Sequence, residues 1–170
     1  MPQPKYDLVV FGATSFAGQL LAAYLAEHFN GVGEKLSWAL AGRSEAKLAE
    51  VKRSLGEAGK NLPVIVADAG NAEQLKAMAD QARVVVSTVG PYALYGEPLV
   101  KVCAEGGTDY CDLTGEPQWI KRMIDRYEAA ARQSGARIVH CCGFAPFRRT
   151  WACTTCSNRR ASSSAGPASR

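Results

Sequence analysis

The chain has 170 residues, 47% of them hydrophobic and 21% charged, with a formal net charge of +4. That size fits one domain with a real core, and no stretch approaches the roughly 18 apolar residues of a membrane span. The positive balance belongs to the end of the chain: residues 147–170 hold five arginines and no acid, leaving fifteen bases against sixteen acids elsewhere. The body therefore lacks the basic signature of a nucleic-acid binder.

The N-terminus does not read as a secretory leader, because Asp7 and a glycine turn interrupt its apolar region, so a cytoplasmic location is expected. Six cysteines without a leader predict buried thiols rather than a disulfide framework. Among them, Cys141 and Cys142 are expected to close a buried strand.

In chain order, residues 7–11 read as an apolar strand that stops at Gly12. A helix over 16–29 follows at once, with Leu20, Leu21, Tyr24 and Leu25 at helical spacing. The stretch from Leu8 to Gly18, L-V-V-F-G-A-T-S-F-A-G, is the most informative of the chain. A buried strand leads to a turn of small residues, where the backbone can approach phosphate oxygens. The next helix offers unpaired N–H groups and its positive dipole end to a pyrophosphate. The usual fingerprint has three glycines. Here Gly12 is expected to make the sharp turn and Gly18 to let the helix pack close to the strand. Ser15, in the middle position, is expected to admit close approach and offer its hydroxyl to phosphate.

Gly31 and Gly33 carry the connection to a second strand over 36–41, closed by Gly42. A helix over 45–55 and a third strand over 63–67 follow. Asn71 caps a helix running to 82, with Gln74 at the capping-box position. A fourth strand over 84–89 ends in Gly90-Pro91. A short helix over 98–105, a fifth strand over 109–113, a helix over 117–134 and a sixth strand over 136–142 complete the series. Strand and helix alternate, and most strands lack polar alternation. This predicts an α/β domain: a Rossmann-type, doubly wound parallel sheet of about six strands with helices on both faces.

Ligands bind such sheets at the C-terminal strand ends. After the second strand, NAD-binding versions place an acid on the ribose 2′-hydroxyl; this chain has Arg43 and Ser44, with Lys47 one turn on. A guanidinium and a hydroxyl suit a 2′-phosphate, so NADP is favoured over NAD. Asp68, at the third strand end, reads either as an adenine contact or as a loop carboxylate starting a turn. Thr88, Val89, Gly90 and Pro91 fall where the nicotinamide ribose should lie. Asp112 to Glu116 are expected to face the nicotinamide and the substrate.

The motifs V-V-F-G-A-T-S-F-A-G, A-G-R-S, V-V-S-T-V-G-P-Y, Y-C-D-L-T-G-E and H-C-C-G-F occur in that order. Together they resemble the NADP-binding domain of saccharopine dehydrogenase-like oxidoreductases, in the branch of the trans-acting enoyl reductases. The resemblance spans residues 6–144. It implies a Rossmann domain over 1–144 followed by a substrate domain, and hydride transfer to a small molecule, possible types being enoyl or imine reduction. It places Gly12, Thr14, Ser15, Phe16, Ala17 and Gly18 at the pyrophosphate, Arg43 and Ser44 at the adenosine phosphate, and Thr88 to Pro91 at the nicotinamide side. Tyr92 and Tyr95 are expected to border the substrate. No catalytic acid is assigned, because hydride transfer needs positioning above all. Nucleic acid and metal are not expected as partners; a homo-oligomer formed through the substrate domain is.

Competing patterns are weak. No tyrosine is followed four residues later by a lysine, the pair that short-chain dehydrogenases use. Successive side chains of a strand point to opposite faces, so His140, Cys141 and Cys142 cannot converge on one metal. The alternative function is a nucleotide-binding module without turnover, lacking its substrate domain.

Residues 145–170 depart from the family pattern, which continues as D-S-I-P-S-D-L-G. They are expected to be a disordered, out-of-frame tail standing in place of the start of the substrate domain. On that reading the spacing of Cys153 and Cys156 is an accident of frame. Codons that encode Ala145 onward, with one A inserted after the first G, translate to D-S-I-P-S-D-L-G-V-Y-Y-L-Q-Q. The coding DNA downstream of Phe144 is expected to yield this string in a neighbouring frame, and sequencing the gene checks it.

Overall fold

The computed structural model describes residues 4–29 and 36–143. The Gly31 and Gly33 connection, Phe144 and the 145–170 tail lie outside the described residues. Six strands alternate with helices: β1 (Tyr6–Phe11), α1 (Phe16–Phe29), β2 (Trp38–Gly42), α2 (Glu45–Ser54), β3 (Val64–Val66), α3 (Ala72–Ala79), β4 (Ala82–Ser87), α4 (Tyr92–Tyr95), α5 (Glu97–Gly106), β5 (Asp109–Asp112), α6 (Pro117–Ser134) and β6 (Ile138–Val139). The sheet runs β3-β2-β1-β4-β5-β6, and every pairing is parallel. This is the doubly wound order, with its switch point between β1 and β4.

Strand alternation divides the interior in two. Val9 and Phe11 of β1 point to one face, joining Leu75 and Met78 of α3, Leu99, Val100 and Cys103 of α5, and Trp119 and Met123 of α6. Val10 points to the other face, against Ala22 and Leu25 of α1, Leu48 and Val51 of α2, and Leu40 of β2. Helices thus lie on both faces, but unevenly. The second core takes no residue from β4, β5 or β6. On that half of the sheet, opposite α5 and α6, Val84, Val86 and Cys111 are half-buried and Val139 is exposed. Phe16, Leu20 and Tyr24 of α1 are also exposed.

Several element ends move from their expected places. Gly90-Pro91 is followed by a helical turn, α4, ahead of the short helix expected from residue 98. Asn71 Oδ1 caps α3 by accepting from the amides of Glu73 and Gln74, both at 3.1 Å. Gln74 does not complete the box; its Oε1 accepts from the Asp68 amide at 2.9 Å and holds the β3–α3 turn instead.

The largest correction is β6, which covers two residues rather than seven. Cys141 takes a left-handed conformation (φ 62°), turning the chain out of the ladder. Its amide donates to Asp112 Oδ1 at 3.1 Å, and the Cys142 amide donates to the Asp112 carbonyl at 2.7 Å. Both cysteines are consequently exposed, against the expectation of buried thiols, whereas Cys103 is buried. Burial pushes the Cys103 thiol up to about 12.

The short edge strand is pinned by one pair across the sheet. Asp109 accepts from the Arg137 amide (2.8 Å) and Nε (2.9 Å), and pairs with its Nη2. The Arg137 guanidinium holds the Asp109 carboxyl below the usual carboxylate range. A depressed carboxylate pKa stabilises the fold above the unfolded value, about 3.9, and the gain disappears as pH falls through the folded value. Arg137 is largely exposed, so the pair is screened. Asp109→Asn is expected to cost about 1 kcal/mol at pH 7. That difference should vanish in strong acid, as urea denaturation at both pH values will show.

Candidate functional site

The strand C-termini open on one edge of the sheet, and at the switch point they surround a cleft of about 380 Å³. Gly12, Thr14 and Ser15 of the β1–α1 turn form its floor side. Gly42 and Arg43 from the end of β2, and Ala67 to Gly70 from the end of β3, form one wall. Thr88, Val89 and Gly90 after β4, with Tyr95 of α4, form the other. A larger groove, about 500 Å³, lies between α6 and edge strand β6. It is mainly aliphatic, and it lies along the edge strand rather than at the switch point, where open α/β sheets bind ligands.

The turn is compact because glycine is required at two places. Gly12 sits at φ 85°, and a Cβ there would lie 2.7 Å from Val89 Cγ2 and 2.8 Å from Thr88 Oγ1. A Cβ at Gly18 would lie 2.3 Å from the Gly12 carbonyl oxygen, so α1 packs directly on the turn. The two roles expected of these glycines are the ones they fill.

Ser15 behaves differently from expectation. Its Oγ accepts from the Gly18 amide at 3.0 Å and bonds Thr88 Oγ1 at 3.0 Å. Thr88 lies within 2.9 Å of the Gly12 carbonyl and donates there. Ser15 must then donate to Thr88, and its hydroxyl is spent as the cap of α1. This leaves the Phe16 and Ala17 amides without an acceptor among the described residues. They are the open anion-binding groups of the turn.

The remaining predicted residues divide. Arg43, Asp68, Val89 and Gly90 line the cleft; Phe16, Ala17, Gly18, Ser44 and Pro91 do not. The Phe16 side chain is 80% exposed and points away. Ser44 caps α2, its Oγ accepting from the Lys47 amide at 3.4 Å. Pro91 precedes α4 as its cap. Asp68 Oδ1 accepts from the Gly70 amide at 2.8 Å, which is the turn-forming role. Arg43 is exposed and forms no ion pair among the described residues.

The polar run after β5 does not face the cleft. Asp112 is completely buried and accepts from Tyr110 Oη (2.9 Å), His140 Nδ1 (2.7 Å), and the Thr114 and Cys141 amides (both 3.1 Å). Thr114 is buried too. The Glu116 carboxylate spans to α4 and accepts from the amides of Tyr92 and Ala93. Tyr92 is a core residue whose hydroxyl donates to the Ser87 carbonyl at 2.9 Å; burial pushes it up to about 12. Tyr95, by contrast, does border the cleft. Among the described residues no three His, Cys, Asp or Glu side chains gather into a metal cage, and no helix is long and apolar enough to cross a membrane.

Residues 8–139 match the family described as the saccharopine dehydrogenase NADP binding domain. A trans-acting enoyl reductase of Mycobacterium tuberculosis is 47% identical over 140 residues, covering 82% of this chain and 32% of that protein. A lipid droplet localized protein of Caenorhabditis elegans is 45% identical over 146 residues, covering 82% and 33%. The apo saccharopine dehydrogenase (L-Glu forming) of Saccharomyces cerevisiae superposes with a TM-score of 0.68 at 17% identity, covering 92% of this chain and 32% of its own, which shows a shared fold. The chain spans about a third of the length of the curated relatives it matches.

The Ser15–Thr88–Gly12 chain makes a direct prediction. Thr88→Val keeps the shape but removes the donor to the Gly12 carbonyl and the acceptor for Ser15. It is expected to cost about 1–2 kcal/mol of stability, while Thr88→Ser stays near wild type, as urea denaturation will measure.

Proposed function

The chain belongs to the saccharopine dehydrogenase NADP-binding domain family, and we propose that it seats NADP(H) across the switch-point cleft. The carrying observation is Arg43. It stands at the end of β2, on the cleft wall, with no carboxylate paired to it among the described residues. A guanidinium there complements a ribose 2′-phosphate and, being a donor only, cannot accept from the 2′-hydroxyl of NAD as an acid in its place would. Ser44 can accept from Lys47 and still donate to the same phosphate.

The fit extends along the cleft. Gly12 and Gly18 keep the turn compact against the end of β4 and the start of α1, where a Cβ would collide with Val89, Thr88 or the Gly12 carbonyl. The amides of Phe16 and Ala17 serve the pyrophosphate, so these two residues act through backbone while their side chains lie outside. Thr14 borders the same turn. Asp68 lines the same wall as Arg43, and its second oxygen is the group assigned to the adenine amino group. Thr88, Val89 and Gly90 form the nicotinamide wall, with Pro91 fixing the wall's exit.

When bound, the nicotinamide supplies the hydride. The chain's own part is to hold the diphosphate at the turn, discriminate the 2′-substituent and present one ring face. The activity proposed for the whole protein is hydride transfer with a small-molecule substrate: an enoyl double bond, which the names of the mycobacterial relatives support, or an imine as the second type. The residues that hold that substrate are assigned to a domain following residue 144, through which copies would also associate. The proposed compartment is the cytoplasm, where thiols such as the exposed Cys141 and Cys142 stay reduced.

Fluorescence titration with NADPH and NADH tests this reading. NADPH is expected to bind more tightly. Arg43→Ala is expected to weaken NADPH by about 1.5–3 kcal/mol and NADH far less. Tighter NADH binding by the wild type would overturn the assignment.

A further inference from the structure

We propose that Glu116 is the positioning residue for the nicotinamide wall of the cleft. This rests on the NADP(H) reading above. Glu116 lies outside the cleft lining, after β5, yet its carboxylate reaches the start of α4. Oε1 accepts from the Tyr92 amide at 2.8 Å, and Oε2 from the Ala93 amide at 3.0 Å. Two oxygens on two consecutive amides fix orientation as well as distance, and an ionised acceptor makes both bonds strong. α4 has no other side-chain cap: Pro91 occupies the cap position and supplies none.

The other contacts of α4 leave it one seat. The Tyr92 ring lies 5.6 Å from that of Trp119, centroid to centroid. Tyr92 Oη is tied to the Ser87 carbonyl and accepts from the Leu113 amide at 3.2 Å. At the far end of α4, a Cβ on Gly96 would lie 2.6 Å from Trp119 Cζ2. Glu116 is itself anchored, because its carbonyl accepts the Ile120 amide at the start of α6. The carboxylate thus ties α6 to the segment that carries Gly90 and Tyr95, both on the cleft wall. The opposite wall, with Arg43 and Asp68, comes from β2 and β3 and has no bond to Glu116. Loss of the carboxylate should therefore disturb one half of the cleft and spare the other.

The test compares two ligands on the full chain by calorimetry: NADPH, and adenosine 2′,5′-bisphosphate, which lacks the nicotinamide half. Glu116→Ala is expected to weaken NADPH about tenfold and leave the bisphosphate within about twofold. Glu116→Gln should fall between, since only one of its terminal atoms accepts, and it carries the same comparison if the alanine variant does not fold. Parallel losses for both ligands would mean a general structural role and overturn the proposal, as would unchanged NADPH affinity in both variants. Failure of the wild type to bind the bisphosphate would instead overturn the NADP(H) reading on which the proposal stands.

Discussion

Three hydrogen bonds hold the architecture's centre: Gly18 N–H to Ser15, Ser15 to Thr88, and Thr88 to the Gly12 carbonyl. They join the turn after β1 to the end of β4, two segments more than seventy residues apart in sequence. The same turn carries the open amides of the helix terminus. Its shape is therefore set by a partner across the switch point as well as by glycine. A third glycine in place of Ser15 would admit the backbone equally well but would break this connection. The serine marks a turn whose rigidity comes from side chains.

Much of the fold was legible because periodicity is a property of long elements. The bounds of α1 and α6 agree with the sequence reading residue for residue, and the sheet has the six parallel strands expected of it. Short features were less legible. The α4 turn has only four residues, too few to establish a period. The expected sixth strand was apolar enough to read as buried, but nothing local announced that the Asp112 carboxylate would take the Cys141 amide and end the ladder.

The site shows the same division. Glycines and the cation after β2 could be read directly, since steric demand and charge travel with the residue. The polar run from Asp112 to Glu116 could not, because residue type does not say which way a side chain faces. It reads as a lining for the nicotinamide and the substrate and is instead a bracing layer. Asp112 gathers four donors in the interior, and Glu116 reaches across to α4. One signal was available: an acid just before a helix, in a chain that elsewhere starts a short helix without a capping side chain.

The uneven covering of the sheet has an energetic consequence. Phe16, Leu20 and Tyr24 of α1 and Val139 of β6 remain 80%, 58%, 54% and 52% exposed. Each square ångström of apolar area left wet forgoes about 25 cal/mol of stabilisation. Folded domains hold only about 5–15 kcal/mol in reserve, so a few hundred square ångströms of such area is a large fraction of it. Oily area of this kind also favours self-association as protein concentration rises. In dilute solution, heat tolerance and colloidal behaviour should both be governed by this exposed apolar area more than by the switch-point cleft.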